Sequence, residues 1–221
     1  MTTLTTTPLA PLLEHLFDAA DAASPAASPA FAAIPAEERM RLMQSKTEYR
    51  ALYGQLKDFP LPVSRETGRL LYMLARSCGA RSIVEFGTSF GISTLHLAAA
   101  LRDNGGGRLV SSEFESSKVA AARANMEAGG VADLVEIREG DALETLAQGL
   151  PETVDLVLLD GAKPLYPRIL DLLEPHLRAG ALIVADNADW CPEYLERVRR
   201  PGGGYLSVPF GEEVEVSMRL A

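Results

Sequence analysis

Residues 82–91, SIVEFGTSFG, set the reading of the whole chain. The apolar run from Ser82 to Phe86 has the length of a strand buried on both faces. Gly87 and Gly91 stand where the backbone must turn sharply, close to a ligand, before a helix expected over 91–102. The same unit repeats downstream. RLVSSEF (108–114) precedes a helical stretch at 116–128, LVEIRE (134–139) a short one near 142–148, VDLVLLD (154–160) one at 165–178, and ALIVAD (181–186) one at 192–200. Apolar strands alternating with amphipathic helices predict an α/β fold of three layers, with helices on both faces of a mostly parallel sheet. The ending differs. Tyr205 to Val208 and residues 213–220 are linked too tightly for a helical crossover, which predicts an antiparallel hairpin and an antiparallel C-terminal edge strand. Val214, Val216, Met218 and Leu220 share one face of that strand.

Upstream, residues 9–22 have helical apolar spacing and 23–30, ASPAASPA, read as an aperiodic linker. A polar helix is expected from Pro35 to about Phe59, and another from Ser64, its N-cap, to about Cys78. The chain thus divides into an N-terminal helical segment with a Pro/Ala-rich linker, 1–62, and a main domain, 63–221. The apolar face of 9–22, set off by the linker, suggests a homodimer contact.

At 221 residues and 47% apolar content the chain can bury one large core, and no run of 18 apolar residues offers a membrane span. Thirty acidic against 21 basic residues give a formal charge of -9, which repels polyanions, so neither nucleic acid nor a membrane is an expected partner. Cys78 and Cys191 make no disulfide framework and no short-spaced zinc motif. Glu14, Asp18 and Asp21 interrupt the apolar residues of the N-terminus, so no signal peptide is read and a cytoplasmic location is expected. Four lysines, Lys46, Lys57, Lys118 and Lys163, stand against seventeen arginines, which makes the position of each lysine informative.

An open parallel sheet binds its ligand beyond the carboxyl ends of its strands. Here those ends are acidic: Glu85 before Gly87, Glu113, Asp141 after Gly140, Asp160, and Asp186-Asn187. The plain alternative is that charged residues simply mark strand ends. The first turn is not GxGxxG, and an acid beside it suits a cationic ligand better than a pyrophosphate, which disfavours a nicotinamide-dependent oxidoreductase. Glu113 is placed to accept hydrogen bonds from both hydroxyls of a ribose.

Taken in order, EFGxxxGIS (85–93), Glu113, GDA (140–142), LDGAKPLY (159–166) and ADNADW (185–190) resemble the class I S-adenosylmethionine-dependent methyltransferases. Within that class they resemble the cation-dependent O-methyltransferases of the catechol and caffeoyl-CoA type, from about Val63 to the C-terminus. The resemblance implies a Rossmann-like methyltransferase fold, S-adenosylmethionine (SAM) and Mg2+ or a similar divalent cation as cofactors, and a small hydroxylated, catechol-like aromatic acceptor. It implies that Val63 and Gly87 meet the methionine part of SAM through backbone atoms, with Glu85 beside that turn and Ser93 near the carboxylate. Glu113 would hold the ribose, and Asp141 and Ala142 would border the adenine. Asp160 would stand between the cofactor's amino group and the metal, with Asp186 and Asn187 as the other metal ligands.

Two carboxylates and an amide oxygen on neighbouring strand ends are also in themselves a hard-oxygen set suited to magnesium. The plain alternative for Asp186-Asn187 is a strand-end turn, since Asp and Asn commonly close strands by bonding their own backbone. Lys163, three residues after Asp160, can reach the same crevice, and unlike an arginine it can release a proton. It is the candidate general base, taking the proton of the acceptor hydroxyl; the plain reading is a solvated surface lysine.

The chain departs from the family pattern in three places, one of them the Gly-rich PGGGY at 201–205, which gives no side chain to read an acceptor with. Asp160-Gly161-Ala162-Lys163 stands where many relatives have Asp-Ala-Asp-Lys, so a second nearby carboxylate is missing, and the segment before Val63 is atypical, leaving acceptor recognition unassigned. His15, His96 and His176 fall on separate helices and read as surface or core residues. Trp190 reads as an aromatic wall for a flat acceptor or as sheet-edge packing, and Tyr166 as packing. Two other readings stay open: a metal-independent methyltransferase of the same fold acting on another acceptor, and a noncatalytic SAM-binding protein.

Overall fold

The computed structural model describes residues 1–23 and 29–221, so most of the expected linker at 23–30 lies outside the described residues. Helices α1 (Leu9–Ala22), α2 (Pro29–Ala32), α3 (Ala36–Met43), α4 (Tyr49–Gly54) and α5 (Arg65–Ser77) precede the sheet. Strands and helices then alternate: β1 (Ser82–Phe86), α6 (Ile92–Asp103), β2 (Arg108–Glu113), α7 (Ser116–Ala128), β3 (Val135–Glu139) and α8 (Ala142–Thr145). They continue with β4 (Val154–Leu159), α9 (Tyr166–Leu173), β5 (Leu177–Ala185), α10 (Pro192–Arg199), β6 (Tyr205–Phe210) and β7 (Val214–Arg219).

The strands form one sheet in the order β3-β2-β1-β4-β5-β7-β6. β1 pairs in parallel with β2 on one side and β4 on the other, so the chain reverses its direction of travel across the sheet beside β1 and leaves a crevice at the strands' carboxyl ends. Alternation along the strands builds the layers. Val84, Phe86, Val157, Leu159, Ile183 and Ala185 face Ile169 and Leu170 of α9 and Tyr194 and Val198 of α10. Their neighbours Ile83, Leu156, Leu158, Leu182 and Val184 face Leu71 and Ala75 of α5 and Leu97 and Leu101 of α6. Both faces are thereby dry, and each fully buried aliphatic side chain stabilises by about 1.5–3 kcal/mol. The expected three-layer, mostly parallel architecture with an antiparallel end is the one observed. Ser64 caps α5 as read, its hydroxyl accepting the Thr67 N–H at 3.0 Å.

Four expectations need correction. The polar helix expected over 35–59 is two short helices, because the Ser45 hydroxyl accepts the N–H groups of Thr47 and Glu48 at 3.3 and 2.9 Å and so starts a local turn that competes with the helix. The helix expected over 165–178 stops at Leu173, since Pro175 cannot continue it, and β5 already begins at Leu177. The C-terminal hairpin is antiparallel and closes that edge of the sheet as a unit, but the strand within 213–220 is not the outermost. β7 lies between β5 and β6, with Glu215 and Ser217 buried, while β6 carries Pro209, which lacks an N–H and is tolerated on an edge. Lastly, the apolar face of α1 has partners in its own chain: Leu9, Leu13 and Phe17 pack on Leu95, Ala98 and Ala99 of α6 and on Val119, Ala122 and Met126 of α7.

Candidate active site

A cavity of about 460 Å³ opens at the carboxyl ends of β1, β2, β4 and β5. Its first wall depends on backbone that few residues can adopt. Gly87 has φ +100°, and a Cβ there would lie 2.6 Å from the Asp160 carbonyl oxygen, so only glycine lets the turns after β1 and β4 come this close. Ser89 also has positive φ, 48°, a strained choice for a non-glycine residue. That strain aims its N–H at one Glu113 oxygen, 2.8 Å away, while the Glu115 N–H donates to the other at 3.0 Å. Glu113 is thus fixed at the cavity wall with lone pairs to spare for ligand hydroxyls.

Asp160, Lys163, Asp186 and Asn187 line the same cavity. Lys163 Nζ donates to Asp160 Oδ1 at 2.9 Å and lies 3.9 Å from Asp186 Oδ2. Burial alone would lower the lysine pKa, but Asp160, Tyr166, Asp186 and Tyr53 raise it well above its ordinary value, so Lys163 is held as an ammonium. Asp186 is pushed up to about 7 by burial and by the Asp160 carboxylate, more than Lys163 offsets. The Tyr166 hydroxyl sits 2.8 Å from the carbonyls of Leu159 and Asp186 and shares its proton between them, clamping the ends of β4 and β5 side by side. Asn187 has φ +46°, and its side-chain N–H donates to Glu213 at 3.2 Å. Its amide oxygen makes no hydrogen bond among the described residues.

The donor set fits a hard divalent cation. It offers two carboxylates and an amide oxygen, and the raised Asp186 pKa marks buried negative charge that a cation relieves. No metal-binding cluster of three His, Cys, Asp or Glu side chains occurs among the described residues, so a metal here depends on the Asn187 oxygen. The departure at Gly161 has a local cause: a Cβ at this position would lie 2.3 Å from the Phe86 ring.

Gly87, Glu113, Ala142, Asp160, Lys163, Asp186 and Asn187 therefore line one cavity, as the sequence suggested. The other candidates sit around it. Glu85 is fully buried behind the wall, where its carboxylate accepts from the hydroxyls of Ser93 and Thr94 at 2.6 Å and Ser111 at 2.5 Å. Burial pushes its pKa up to about 7 against the pull of those hydroxyls. Ser93 lines a small adjoining recess at the start of α6, together with Thr88 and Ser89. Val63 is packed in the core next to Pro62, which lines the cavity. Asp141 caps α8 through the Leu143 N–H at 2.9 Å and pairs with Arg50 at the rim. His96 is a core residue, its ring edge-on to Phe17 and its Nδ1 2.8 Å from the Ile92 carbonyl. Trp190 is 42% exposed and lines the cavity.

Sequence reading missed the roof. α3, α4, the turn that follows it and the Pro60–Pro62 stretch cover the cavity, with Met43, Tyr49, Tyr53 and Leu56 among its lining residues. Tyr49 meets Phe114 edge to face at 6.5 Å, and Lys46–Glu193, 2.7 Å, and Arg50–Asp141 tie the roof to the rim. The signal was present: Tyr49, Tyr53 and Leu56 recur at helical spacing within a polar stretch. Lys118, buried in the wall, was also missed.

The comparisons with known proteins agree with this geometry. A family model described as O-methyltransferase matches residues 37–200. A catechol O-methyltransferase of Niastella koreensis is 37% identical over 130 residues, 58% of this chain, and the chain spans only 58% of that relative's length. Of the solved structures, the O-methyltransferase TomG from Streptomyces achromogenes, involved in tomaymycin synthesis and in complex with SAM, is 26% identical with a TM-score of 0.65, covering 86% of this chain and 92% of that one. The O-methyltransferase from Bacillus cereus in complex with SAH, 24% identical with a TM-score of 0.68 over 86% and 93% of the two chains, shares the fold. Since the matched segment takes in α3, α4 and every strand end that lines the cavity, the chain belongs to the O-methyltransferase family.

Proposed function

We propose that the protein transfers the methyl group of SAM to a hydroxyl of a small, catechol-like aromatic acceptor, with Mg2+ or a similar divalent cation. One observation carries this: a single cavity joins Glu113 and the Gly87 turn to Asp160, Lys163, Asp186 and Asn187. In this reading Glu113 accepts from the ribose hydroxyls, the backbone at Val63 and Gly87 meets the methionine part beside Glu85 and Ser93, and Asp141 and Ala142 border the adenine. Asp160, Asp186 and Asn187 hold the cation, which would bind the acceptor oxygens and lower the pKa of one of them. Trp190 and Tyr53 give a ring acceptor aromatic surface, and the roof excludes water from the reacting atoms. Most of the acceleration then comes from holding both reactants in line.

Lys163 is assigned the general-base role. The acids beside it hold its proton, so it becomes a base only when another positive charge takes up those carboxylates. The same pairing favours a second reading, a metal-independent methyltransferase in which the Lys163 ammonium itself compensates Asp160 and Asp186. Asp186→Ala and Lys163→Arg test the two. If the first reading is right, both fold and bind SAM, Asp186→Ala loses most turnover, and Lys163→Arg falls on the order of 100-fold. A Lys163→Arg enzyme within about threefold of the parent would make Lys163 a bystander.

The free thiols of Cys78 and Cys191 support a cytoplasmic location, and no described helix is long and apolar enough to cross a membrane. A homodimer stays within the proposal, although the α1 face that suggested it is filled.

A further inference from the structure

Two of the four lysines are exposed, Lys46 and Lys57, and two are buried in the cavity wall, Lys118 at 5% exposure and Lys163 at 7%. Lys163 has carboxylates at hand. Lys118 has acids in its surroundings but none within ion-pair distance: its ammonium has one long hydrogen bond, 3.4 Å to the Ser89 hydroxyl, and lies 5.8 Å from the centre of the Phe90 ring. It forms no ion pair among the described residues. The Ser89 hydroxyl is already engaged by the Leu61 N–H at 3.3 Å. Lys118 also stands in the first turn of α7, the end of a helix where the macrodipole repels a cation, an effect that the N-cap residue Glu115 offsets only in part. Burial pushes its pKa down, with Glu113, Glu115 and Asp160 pulling it back up. A buried ammonium with so little to bond is costly to the empty protein. A methionine would fill the same space without that cost.

Local rules broken at one residue beside a ligand cavity point to the ligand as the missing partner. We propose that Lys118 is a cofactor-binding residue whose ammonium donates a hydrogen bond to an oxygen of bound SAM, on the wall it shares with Glu113 and Ser89. The oxygen is either a ribose hydroxyl, which donates to Glu113 and still has lone pairs to accept with, or the carboxylate of the methionine part. The inference rests on the SAM reading of the cavity.

Calorimetry with S-adenosylhomocysteine and with 5′-methylthioadenosine, which keeps the ribose and lacks the carboxylate, tests it on the parent and Lys118→Met, alongside thermal unfolding of both without ligand. Lys118→Met is expected to weaken S-adenosylhomocysteine about tenfold or more, the loss of a charge-assisted hydrogen bond, while its unfolding temperature rises. Equal weakening of 5′-methylthioadenosine assigns the ribose; weakening of S-adenosylhomocysteine alone assigns the carboxylate. Lys118→Gln gives the same readout if the methionine variant does not fold. Unchanged affinity for both ligands, or a lower unfolding temperature with unchanged affinity, overturns the proposal and makes Lys118 structural. A parent that binds neither ligand overturns the SAM reading, and this inference with it.

Discussion

Glu85 and Asp186 are both raised to about 7, by different surroundings and with different consequences. Asp186 faces the cavity beside a second carboxylate, so its excess charge is available to a ligand. Glu85 is sealed among hydroxyls that tie β1 to β2 and to the start of α6, so its charge costs stability and gives nothing to a ligand directly. Its pKa is higher folded than unfolded. Its contribution is therefore fully present below about pH 4.5 and is lost as pH rises toward 7. A shift from 4.5 to about 7 corresponds to roughly 3 kcal/mol. Denaturant unfolding from pH 4.5 to 8 should show Glu85→Gln gaining on the parent by that order as pH rises, and a difference that stays flat would mean Glu85 is ionised at no cost. From the sequence, Glu85 was legible as a strand-end acid. Strand alternation, which turns it away from the cavity toward α6, is visible only once the register and the helix above it are fixed.

Among the elements, β1 to β5 were legible because strands buried on both faces read as short apolar runs, and their crossover helices leave little choice of topology. α3 and α4 were not, because a polar stretch with one aromatic stripe reads the same whether it lies on solvent or over a ligand. The split between them hangs on the Ser45 hydroxyl, a local bond that a periodicity cannot show. α1 was legible as a helix and misread in its role, since its partners on α6 and α7 lie some eighty or more residues away in the chain. Phe17, 5% exposed, packs edge-on to His96 at 6.1 Å and carries the Arg65 guanidinium over its ring at 4.5 Å. Phe17→Ala is expected to cost about 3 kcal/mol, read as a lower urea midpoint. The loss should not depend on protein concentration; a loss confined to concentrated samples would return α1 to a dimer interface.

At the scale of the whole molecule, the sheet brings acids that are distant in sequence to one rim, and the N-terminal helices close over it. The net charge of -9 makes no demand on the small acceptor proposed, for which the roof and the Asp160–Asn187 end of the cavity offer the surface. That end gathers two carboxylates and an amide oxygen around the Lys163 ammonium, and the proposed reading of the molecule as a cation-dependent O-methyltransferase stands or falls with it. The most direct measurement is transfer of a labelled methyl group from SAM to catechol, followed in Mg2+ and again after exhaustive chelation. The account predicts a labelled monomethyl ether with Mg2+, its loss on chelation and its return when the metal is restored. Transfer undiminished by chelation would contradict the metal's role, and no transfer to catechol or any other hydroxylated aromatic acceptor under either condition would contradict the proposed activity itself.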